Sequence, residues 1–423
     1  MADAPVRPGA RLAIVISHPI QYFSPWFRHI AATSGIDLKV FYLWDSGVAL
    51  RYDRQFGQAI RWDIPLLEGY EYVFVPNRSH DPGTHHFGGL DNPQLVSALI
   101  DWKPDAILLF GYLFHSHFRV MFSRRLTGVP LLLRGDSHDL FRPPGWRSNL
   151  ARRARSLLFK RFASFLAVGK ANAEYFRHCG VPREHIHFVP HCVDNQRFQD
   201  AAPQAALDAA AWRAELGIAA NAYVILFAGK FEPKKRPLDL LAAFGIAQEE
   251  LRRIGGPAPA LLFVGAGALE RELRAASAKR IGKTFFFVPF QNQSRMPTVY
   301  AMGDLLVLPS FGVGETWGLA VNEAMNLAKP VIVSTHVGCA SDLVLHGQTG
   351  WVFKAGDIDA LAATIVQALL LGREHRAQMG LAAREQVGRY SYTAATAGLS
   401  TALSAVMPKT AEHVADLNEN SHA

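Results

Sequence analysis

The sequence predicts an α/β protein built from two doubly wound domains in tandem that face each other across a cleft. The chain has 423 residues, which is too long for one ordinary core and suits two domains of roughly 200 residues each. Short apolar, β-rich runs alternate with helical stretches through both halves, as is typical of parallel sheets covered by helices. Between the halves, residues 200–222 are alanine-rich with little strand character, and we interpret them as the connection.

We expect the first domain over residues 1–205 and the second over 206–390. A helix over 391–407 could pack back on the first domain, and the polar tail over 408–423 is expected to be disordered. The strand candidates of the first half are RLAIVIS, DLKVFYL, YVFV, DAILLF, VPLLL and SFLAV. Those of the second half are YVILFAG, ALLFVGAG, TFFFVP, DLLVLPS, KPVIVS and GWVF. Sheets of this kind bind ligands beyond the carboxyl ends of their strands, so the site is expected in the cleft.

Composition narrows the class of protein. Three widely spaced cysteines, Cys179, Cys192 and Cys339, argue against a disulfide framework and fit a reducing compartment. The first residues contain no long apolar signal core, and no apolar run approaches the roughly 18 residues of a spanning helix. We therefore expect a cytoplasmic protein, either soluble or peripheral at the inner face of the plasma membrane.

The formal net charge of +8 is unevenly placed, because residues 142–161 contain seven basic residues and no acidic one. As a helix over 148–162, this stretch puts most apolar residues on one side and most basic residues on the other. Such a helix could lie on an anionic bilayer, and an ordinary surface helix with a solvated basic face is the alternative. Nucleic acid is not an expected partner, since no recognised binding motif accompanies the charge.

The segment 227–244, FAGKFEPKKRPLDLLAAF, carries basic residues between a predicted strand and a predicted helix. Lys230 and Lys235 lie in this loop, close to where helix amides point outward. Cations and amide donors together suit a diphosphate, although a solvated basic loop is the alternative. Further on, 264–274 has glycines between strand and helix but lacks the third glycine of a dinucleotide fingerprint, so a nicotinamide enzyme is disfavoured.

The segment 314–335, GETWGLAVNEAMNLAKPVIVST, contains Glu315 and Glu323 with seven residues between them. It predicts a glycine-rich loop, a helix and a strand. Glu315 precedes the helix, and Glu323 lies about two turns in, on the same side or close to it. The two carboxylates could face solvent, or they could accept hydrogen bonds from the hydroxyl groups of a ligand.

The glutamate spacing, with PVIVS and LVLHGQTGWVFKAGDIDALAATI behind it, resembles the retaining nucleotide-sugar glycosyltransferases of family 4. These have the GT-B fold of two Rossmann-like domains. GKFEPKKRP is similar to their donor-phosphate loop, with Lys230 where an arginine is usual, and 178–198 resembles the end of their first domain. SHPIQYFSPWFR, WDIPLLEGYEYVF and LLLRGDSH resemble one bacterial branch. The resemblance runs from about Arg11 to Leu403.

The resemblance implies a role for each matching residue. The donor loop, with Gly229, Lys230 and Lys235, would hold the donor diphosphate, Glu323 the ribose and Glu315 the donor sugar. The expected catalytic residues are Glu315, Lys235 and Lys230. The remaining donor-side positions would lie beside the phosphates and sugar (Thr316, Trp317, Gly318, Leu319) or flank the base (Val288, Phe290). No acidic DxD cluster is evident, which matches the usual metal independence of the family, so no metal or cofactor is expected beyond the nucleotide sugar as co-substrate.

The first domain offers weaker candidates. His18, Tyr112, Arg134 and Asp136 each stand at the carboxyl end of a predicted strand, and for each a structural role is an equal alternative. The chain also departs from the family pattern after PVI, where Cys339 and Asp342 replace the expected residues.

The expected function is therefore retaining transfer of a sugar from a UDP- or GDP-sugar to a hydroxyl of a glycan or lipid-linked acceptor. Bacterial surface polysaccharide or glycolipid synthesis is the expected setting. A nucleotide-sugar epimerase on the same fold and a non-catalytic nucleotide-sugar binding protein are the alternatives.

Overall fold

The computed structural model describes residues 7–48, 50–53, 57–141 and 145–407. The predicted tail over 408–423 and the start of the basic stretch at 142–144 lie outside the described residues. The strands of the first half are β1 (Arg11–Ile16), β2 (Asp37–Tyr42), β3 (Arg51–Asp53), β4 (Gln58–Ile60), β5 (Glu71–Phe74), β6 (Ala106–Phe110), β7 (Leu131–Gly135), β8 (Ser164–Ala167) and β9 (Ile186–Phe188). Those of the second half are β10 (Tyr223–Ala228), β11 (Pro259–Val264), β12 (Phe285–Val288), β13 (Leu305–Leu308), β14 (Val331–Ser334) and β15 (Gly350–Phe353).

The helices connect these strands. Those of the first half are α1 (Ser24–Thr33), α2 (Leu95–Trp102), α3 (His115–Met121), α4 (Trp146–Phe159), α5 (Lys170–His178) and α6 (Asn195–Glu215). Those of the second half are α7 (Pro237–Arg253), α8 (Glu270–Ser277), α9 (Met296–Ala301), α10 (Leu319–Asn326), α11 (Ala340–Leu343), α12 (Ile358–Leu370), α13 (Gly372–Gly388) and α14 (Tyr392–Val406).

Two parallel sheets form the centres of the two halves. Within the described residues the first has the order β5-β2-β1-β6-β7-β8-β9 and the second the order β12-β11-β10-β13-β14-β15. Each sheet is covered by apolar residues on both faces, which is why its strands are continuous apolar runs rather than alternating ones. The predicted α/β fold class of two doubly wound sheets is thereby confirmed.

The structure adds elements that the sequence pattern did not predict. The short antiparallel pair β3–β4 projects between β2 and β5, and β9 extends the first sheet at its edge. The alanine-rich connection is helical, as α6, which the Asp194 carboxylate caps by accepting from the Arg197 backbone N–H at 3.0 Å.

The last helix returns to the first sheet. α14 packs against β8, β9 and α1, and the Thr396 hydroxyl accepts a hydrogen bond from the Trp26 indole at 3.1 Å. Gly398 permits the close approach, because a Cβ there would lie 2.0 Å from the Phe188 carbonyl oxygen. Leu399 is fully buried in the same apolar cluster as β1 and β2. The C-terminal residues 391–407 therefore contribute to the core of the first domain.

Leu399→Ala should destabilise the protein by about 2–5 kcal/mol, because it leaves a cavity in the first-domain core. Leu381→Ala, on the solvent side of α13, is the matched control and should change stability by less than about 0.5 kcal/mol. Urea unfolding followed by circular dichroism measures both. Equal effects of the two substitutions would contradict the placement of α14 in that core.

Candidate functional site

The cleft between the two sheets lies at the carboxyl ends of their strands and encloses about 990 Å³. Most of the predicted site residues line it, from both domains: His18, Asp136, Gly229, Lys230, Lys235, Phe290, Glu315, Thr316, Trp317, Gly318, Leu319 and Glu323. The fold thus brings together residues that are up to 305 positions apart, from His18 to Glu323.

The second-domain wall carries an ion pair. Lys235 lies in a short 3-10 turn before α7, and its Nζ is 2.6 Å from Glu315 Oε2, both side chains being largely buried. Ser310 also donates to Glu315 Oε2, at 2.9 Å. A carboxylate with a charged partner and a hydroxyl donor is held in one orientation. Glu315 is therefore fixed at the position where the family resemblance predicts contact with the donor sugar.

Glycines bring the basic loop to this position. A Cβ at Gly265 would lie 2.0 Å from the Gly229 carbonyl oxygen, and one at Gly267 would lie 2.7 Å from the Phe231 nitrogen. The glycines after β11 therefore serve the packing of the Lys230 loop against the strand end. This close packing explains why glycine occurs at both positions. The incomplete dinucleotide pattern therefore does not require a nicotinamide cofactor.

Glu323 lies in α10 and is buried. Its Oε1 accepts from the Tyr22 hydroxyl of the first domain at 3.2 Å, and its Oε2 accepts from the Tyr300 hydroxyl at 2.5 Å. Burial raises the pKa of Glu323 to about 7, although both hydroxyls and the charges of Arg197 and Lys235 counteract it. Both carboxylate oxygens thus already accept from hydroxyl groups, and the role of Glu323 in binding a ribose stays a prediction.

The loop between β13 and α10 depends on two glycines. Gly318 has φ +97°, and a Cβ there would lie 2.9 Å from both Leu308 and Val337. A Cβ at Gly338 would lie 1.9 Å from the Thr316 carbonyl oxygen. Glycine is therefore required at both positions for the loop to pass under the start of α10, where backbone N–H groups are available to an anion.

The same loop contacts the first domain. The Thr316 hydroxyl donates to Asp136 Oδ2 at 2.6 Å, and His138 Nε2 lies 3.2 Å from the Glu315 carbonyl oxygen. Burial opposes ionisation of Asp136, but the neighbouring His191, whose Nε2 lies 3.8 Å from Oδ2, and the Thr316 hydroxyl outweigh it and lower the pKa of Asp136 to about 2. Asp136 is consequently a charged group in the first-domain half of the cleft.

The structure does not bring three predicted residues to the cleft. Tyr112 is buried and its hydroxyl pairs with that of Tyr175 at 3.0 Å. The Arg134 guanidinium is buried over Trp26 and donates to the Val189 and Pro190 carbonyls, at 2.7 and 3.1 Å. Val288 is a core residue of β12. A position at a strand end places a residue near the cleft but does not decide on which side its side chain lies.

The two departures from the family pattern have structural roles. The Cys339 backbone N–H donates to the Trp317 carbonyl at 2.9 Å. The Asp342 carboxylate accepts from the Lys170 backbone N–H at 3.0 and 3.1 Å and from the Tyr390 hydroxyl at 3.0 Å. Asp342 therefore joins the two domains beside the site rather than facing the cleft.

Sequence reasoning missed several residues that line the cleft: Tyr22, Trp44, Trp62, His191 and Tyr300. Single aromatic residues in a sequence are most often core residues, so no pattern singles these out. Tyr22 and Tyr300 become significant only because the fold places their hydroxyls on the same carboxylate.

A group with metal-ligand chemistry lies on an exposed loop at the cleft rim. One ligand atom each of Asp81, His85 and His86 lies within 4.8 Å of the others, and His85 Nε2 is 2.9 Å from Asp81 Oδ2. Hydrogen bonds within the group account for this arrangement. Metal independence of the reaction stays a prediction.

Two family models match the chain. Residues 208–386 match the model described as Glycosyl transferases group 1, and residues 69–192 match the Glycosyl transferase 4-like domain. The first match contains all six strands of the second sheet, and the second match contains β5 to β9 of the first sheet.

Curated relatives match mainly over half of the chain. A D-inositol 3-phosphate glycosyltransferase of Nocardia farcinica is 33% identical over 234 residues, which are 54% of this chain and 49% of that protein. The Arabidopsis thaliana sulfoquinovosyl transferase SQD2 is 34% identical over 143 residues, 33% of this chain and 27% of that one. The matched region thus spans about half the length of the Nocardia farcinica protein and about a quarter of the length of SQD2.

Solved structures match over nearly the whole chain. Anabaena Alr3699/HepE in complex with UDP and glucose has a TM-score of 0.67 and 18% identity, covering 93% of this chain and 99% of that one. WaaG, a glycosyltransferase involved in lipopolysaccharide biosynthesis, has a TM-score of 0.62 and 17% identity, covering 92% and 99%. At these identities the likeness shows the two-domain fold.

Glu323→Gln should raise the unfolding temperature at about pH 8. The pKa of Glu323 in the folded protein, about 7, exceeds its ordinary value of 4.5, so the folded state binds more protons between these pH values. Ionised Glu323 therefore costs stability above pH 7, on the order of 3 kcal/mol, and the cost disappears as the pH falls toward 4.5.

Thermal unfolding of both proteins between about pH 5 and pH 8 measures this difference. The exposed Glu385→Gln is the control and should behave like the unsubstituted protein throughout. The stability of Glu323→Gln minus that of the unsubstituted protein should be larger at pH 8 than at pH 5. A smaller difference at pH 8 than at pH 5 would contradict the raised pKa.

Proposed function

Because the chain belongs to the family 4 glycosyltransferases with the GT-B fold, we propose that it transfers a sugar from a UDP- or GDP-sugar to a hydroxyl acceptor with retention of anomeric configuration. The observation that carries the proposal is the wall on which Lys235, Glu315 and Glu323 converge. The alternatives of an epimerase and of a non-catalytic binding protein use the same donor wall, and the products of the reaction distinguish them.

The donor wall suits a nucleotide diphosphate linked to a sugar. Lys230 and Lys235 supply positive charge, and the start of α10 supplies backbone N–H donors to the phosphates. A diphosphate would compete with Glu315 for Lys235, which leaves Glu315 available to the hydroxyls of the donor sugar. Ribose hydroxyls would reach Glu323 beside Tyr300. In support, Alr3699/HepE, which shares the fold, is described in complexes with UDP and with UDP-glucose.

In the proposed reaction the acceptor oxygen attacks the anomeric carbon from the face that the diphosphate leaves. The bond from this carbon to the phosphate oxygen breaks as the new glycosidic bond forms, and the acceptor proton passes to the departing phosphate. Lys230, Lys235 and the α10 amides stabilise the developing negative charge, which is usually the largest contribution to such catalysis. Contacts between the two domains around the donor would exclude water and limit hydrolysis.

The proposed acceptor is a glycan or a lipid-linked sugar in bacterial surface polysaccharide or glycolipid synthesis. The relation of WaaG to lipopolysaccharide biosynthesis is consistent with such an acceptor. Several curated relatives are named D-inositol 3-phosphate glycosyltransferases. A phosphorylated inositol differs chemically from a glycan or a lipid-linked sugar. The residues on the first-domain side of the cleft help to distinguish these two kinds of acceptor.

The basic helix α4 supports a peripheral contact with a membrane. In the described part of the chain no helix is both long and apolar enough to cross a bilayer. On α4, however, Trp146, Leu150 and Leu157 are each more than half exposed, while Phe159 turns into the core. Arg152 and Arg153 are exposed beside them. Exposed apolar side chains together with basic ones suit the interface of an anionic lipid surface.

Lys235→Ala and Glu323→Ala should each slow transfer by at least about tenfold, which is roughly 1.4 kcal/mol of transition-state stabilisation. The protein is incubated with radiolabelled UDP- and GDP-sugars and a bacterial lipid extract, and both the label and the free nucleotide are followed. The exposed Lys279→Ala is the control. Near-normal rates for both variants would refute the donor site, and an epimerised donor without nucleotide release would refute transfer.

Vesicles rich in anionic lipid should retain the protein at low salt and release it at high salt, because the contact is partly electrostatic. Replacing Arg152 and Arg153 by alanine should abolish retention in a flotation assay. Alanine at Arg252 and Arg253, an exposed pair on α7, is the matched control. If the vesicles still retain the protein without the two α4 arginines, α4 is an ordinary surface helix.

A further inference from the structure

We infer that the acceptor is an uncharged saccharide whose ring packs on an aromatic ledge formed by His18, Trp44 and Trp62 in the first-domain half of the cleft. The inference rests on the proposed function, since it names the class of molecule that receives the sugar. It is carried by the contacts that hold the three rings, by the charges around them and by their connection to the donor wall.

The aromatic ledge is held in place from behind. Trp44 follows β2 and packs against the apolar core of the first domain, and its ring meets that of His18 edge to face at 5.8 Å. Both rings are partly exposed and line the cleft. A rigid ring with one side on the core and another toward the cleft is suited to the apolar C–H face of a sugar.

Trp62 completes the aromatic ledge after the β3–β4 pair. A Cβ at Gly47 would lie 3.2 Å from Trp62 Cδ1 and 3.0 Å from the Pro19 carbonyl oxygen, and φ at Gly47 is +88°. Glycine therefore permits the indole to pack closely over this turn. Polar side chains that can bind sugar hydroxyls line the same cleft: Gln21, Ser46, Thr84 and Asp136.

The charges in this half of the cleft disfavour an anionic acceptor. Among the described residues that line the first-domain half, none is a lysine or an arginine. Its basic groups are the imidazoles of His18, His85 and His191, and the pKa of His191 is lowered by burial. The carboxylate of Asp136 is negative. A phosphate group on the acceptor would be repelled by Asp136 and, among the described residues that line this half, would find none of the guanidinium or ammonium donors that usually bind it.

The cations of the cleft instead lie on the opposite wall. Lys230, Lys234 and Lys235 all belong to the second domain, where the donor diphosphate is proposed to bind. Over the described residues, the donor wall is therefore cationic, and the acceptor wall is aromatic with one carboxylate and no lysine or arginine. A phosphorylated polyol such as D-inositol 3-phosphate fits the second wall poorly.

The aromatic ledge is joined to the donor side by a contact between the domains. Asn292 Nδ2 donates to the Arg61 carbonyl at 2.7 Å, and the Ser294 backbone N–H donates to Asp63 Oδ1 at 3.0 Å. The ring of Trp62 lies between these contacts, 6.3 Å from that of Phe290. The Trp62 part of the ledge therefore lies directly beside the second domain.

Matched neutral and phosphorylated acceptors test the inference. Calorimetry first establishes whether UDP or GDP binds, and the protein saturated with that nucleotide is then titrated with methyl glycosides of glucose, galactose and mannose. The same titration uses glucose 6-phosphate, myo-inositol and D-inositol 3-phosphate. At least one neutral glycoside should bind, and each phosphorylated compound should bind more weakly than the neutral glycosides.

Trp44→Ala should weaken binding of the neutral glycoside by about tenfold, because it removes one stacking ring, while the nucleotide affinity stays unchanged. Trp44→Phe should retain most of the affinity, which separates loss of the ring from loss of the fold. Phe122→Ala, which removes an exposed aromatic ring that does not line the cleft, is the control.

Tighter binding of D-inositol 3-phosphate than of every neutral glycoside would overturn the inference, and so would an affinity for the neutral glycoside that Trp44→Ala leaves unchanged. Both outcomes leave nucleotide binding, and hence the proposed function, intact. Failure of UDP and GDP to bind would instead remove the proposed function and this inference with it.

Discussion

The site depends on the cost of burying carboxylates. A buried negative charge is costly unless hydrogen bonds and cations accompany it, and two glutamates of one loop-and-helix segment are nearly buried here. Glu315 meets this requirement with Lys235 and Ser310, whereas two tyrosine hydroxyls offset only part of the cost for Glu323. Because these partners come from three other segments, the positions of the β10 loop, of α9 and of the first-domain loop before α1 are fixed together.

This requirement also makes the site a property of both domains. The Tyr22 hydroxyl reaches Glu323 from the first domain, and the Thr316 hydroxyl reaches Asp136 in the opposite direction. Asp342 adds a third connection through the Lys170 backbone. Since a donor molecule would exchange with some of these partners, binding of the donor and the relative position of the two domains are expected to be coupled.

The sequence predicted the structure correctly where a local residue pattern is compatible with only one kind of element. Continuous apolar runs predicted the strands of both parallel sheets, and the glutamate spacing with the Lys235 loop predicted residues that do line one wall of the cleft. It was uninformative where the solution is not local. Arg134 and Asp136 are two residues apart, yet one turns into the core and the other into the cleft. Trp44 and Trp62 were not predicted as cleft residues, because the position of Trp62 depends on a tight turn at Gly47 and on its contact with Phe290 of the other domain.

A crystal structure of the protein with UDP or GDP bound tests the central claim most directly, namely that Glu315, Glu323 and Lys235 form a nucleotide-sugar donor site. The account predicts the ribose hydroxyls within hydrogen-bond distance of Glu323. It also predicts that Lys235 Nζ contacts a phosphate oxygen, where it now lies 2.6 Å from Glu315. A nucleotide bound elsewhere, with the Lys235–Glu315 pair and the tyrosine contacts of Glu323 unchanged, would contradict it.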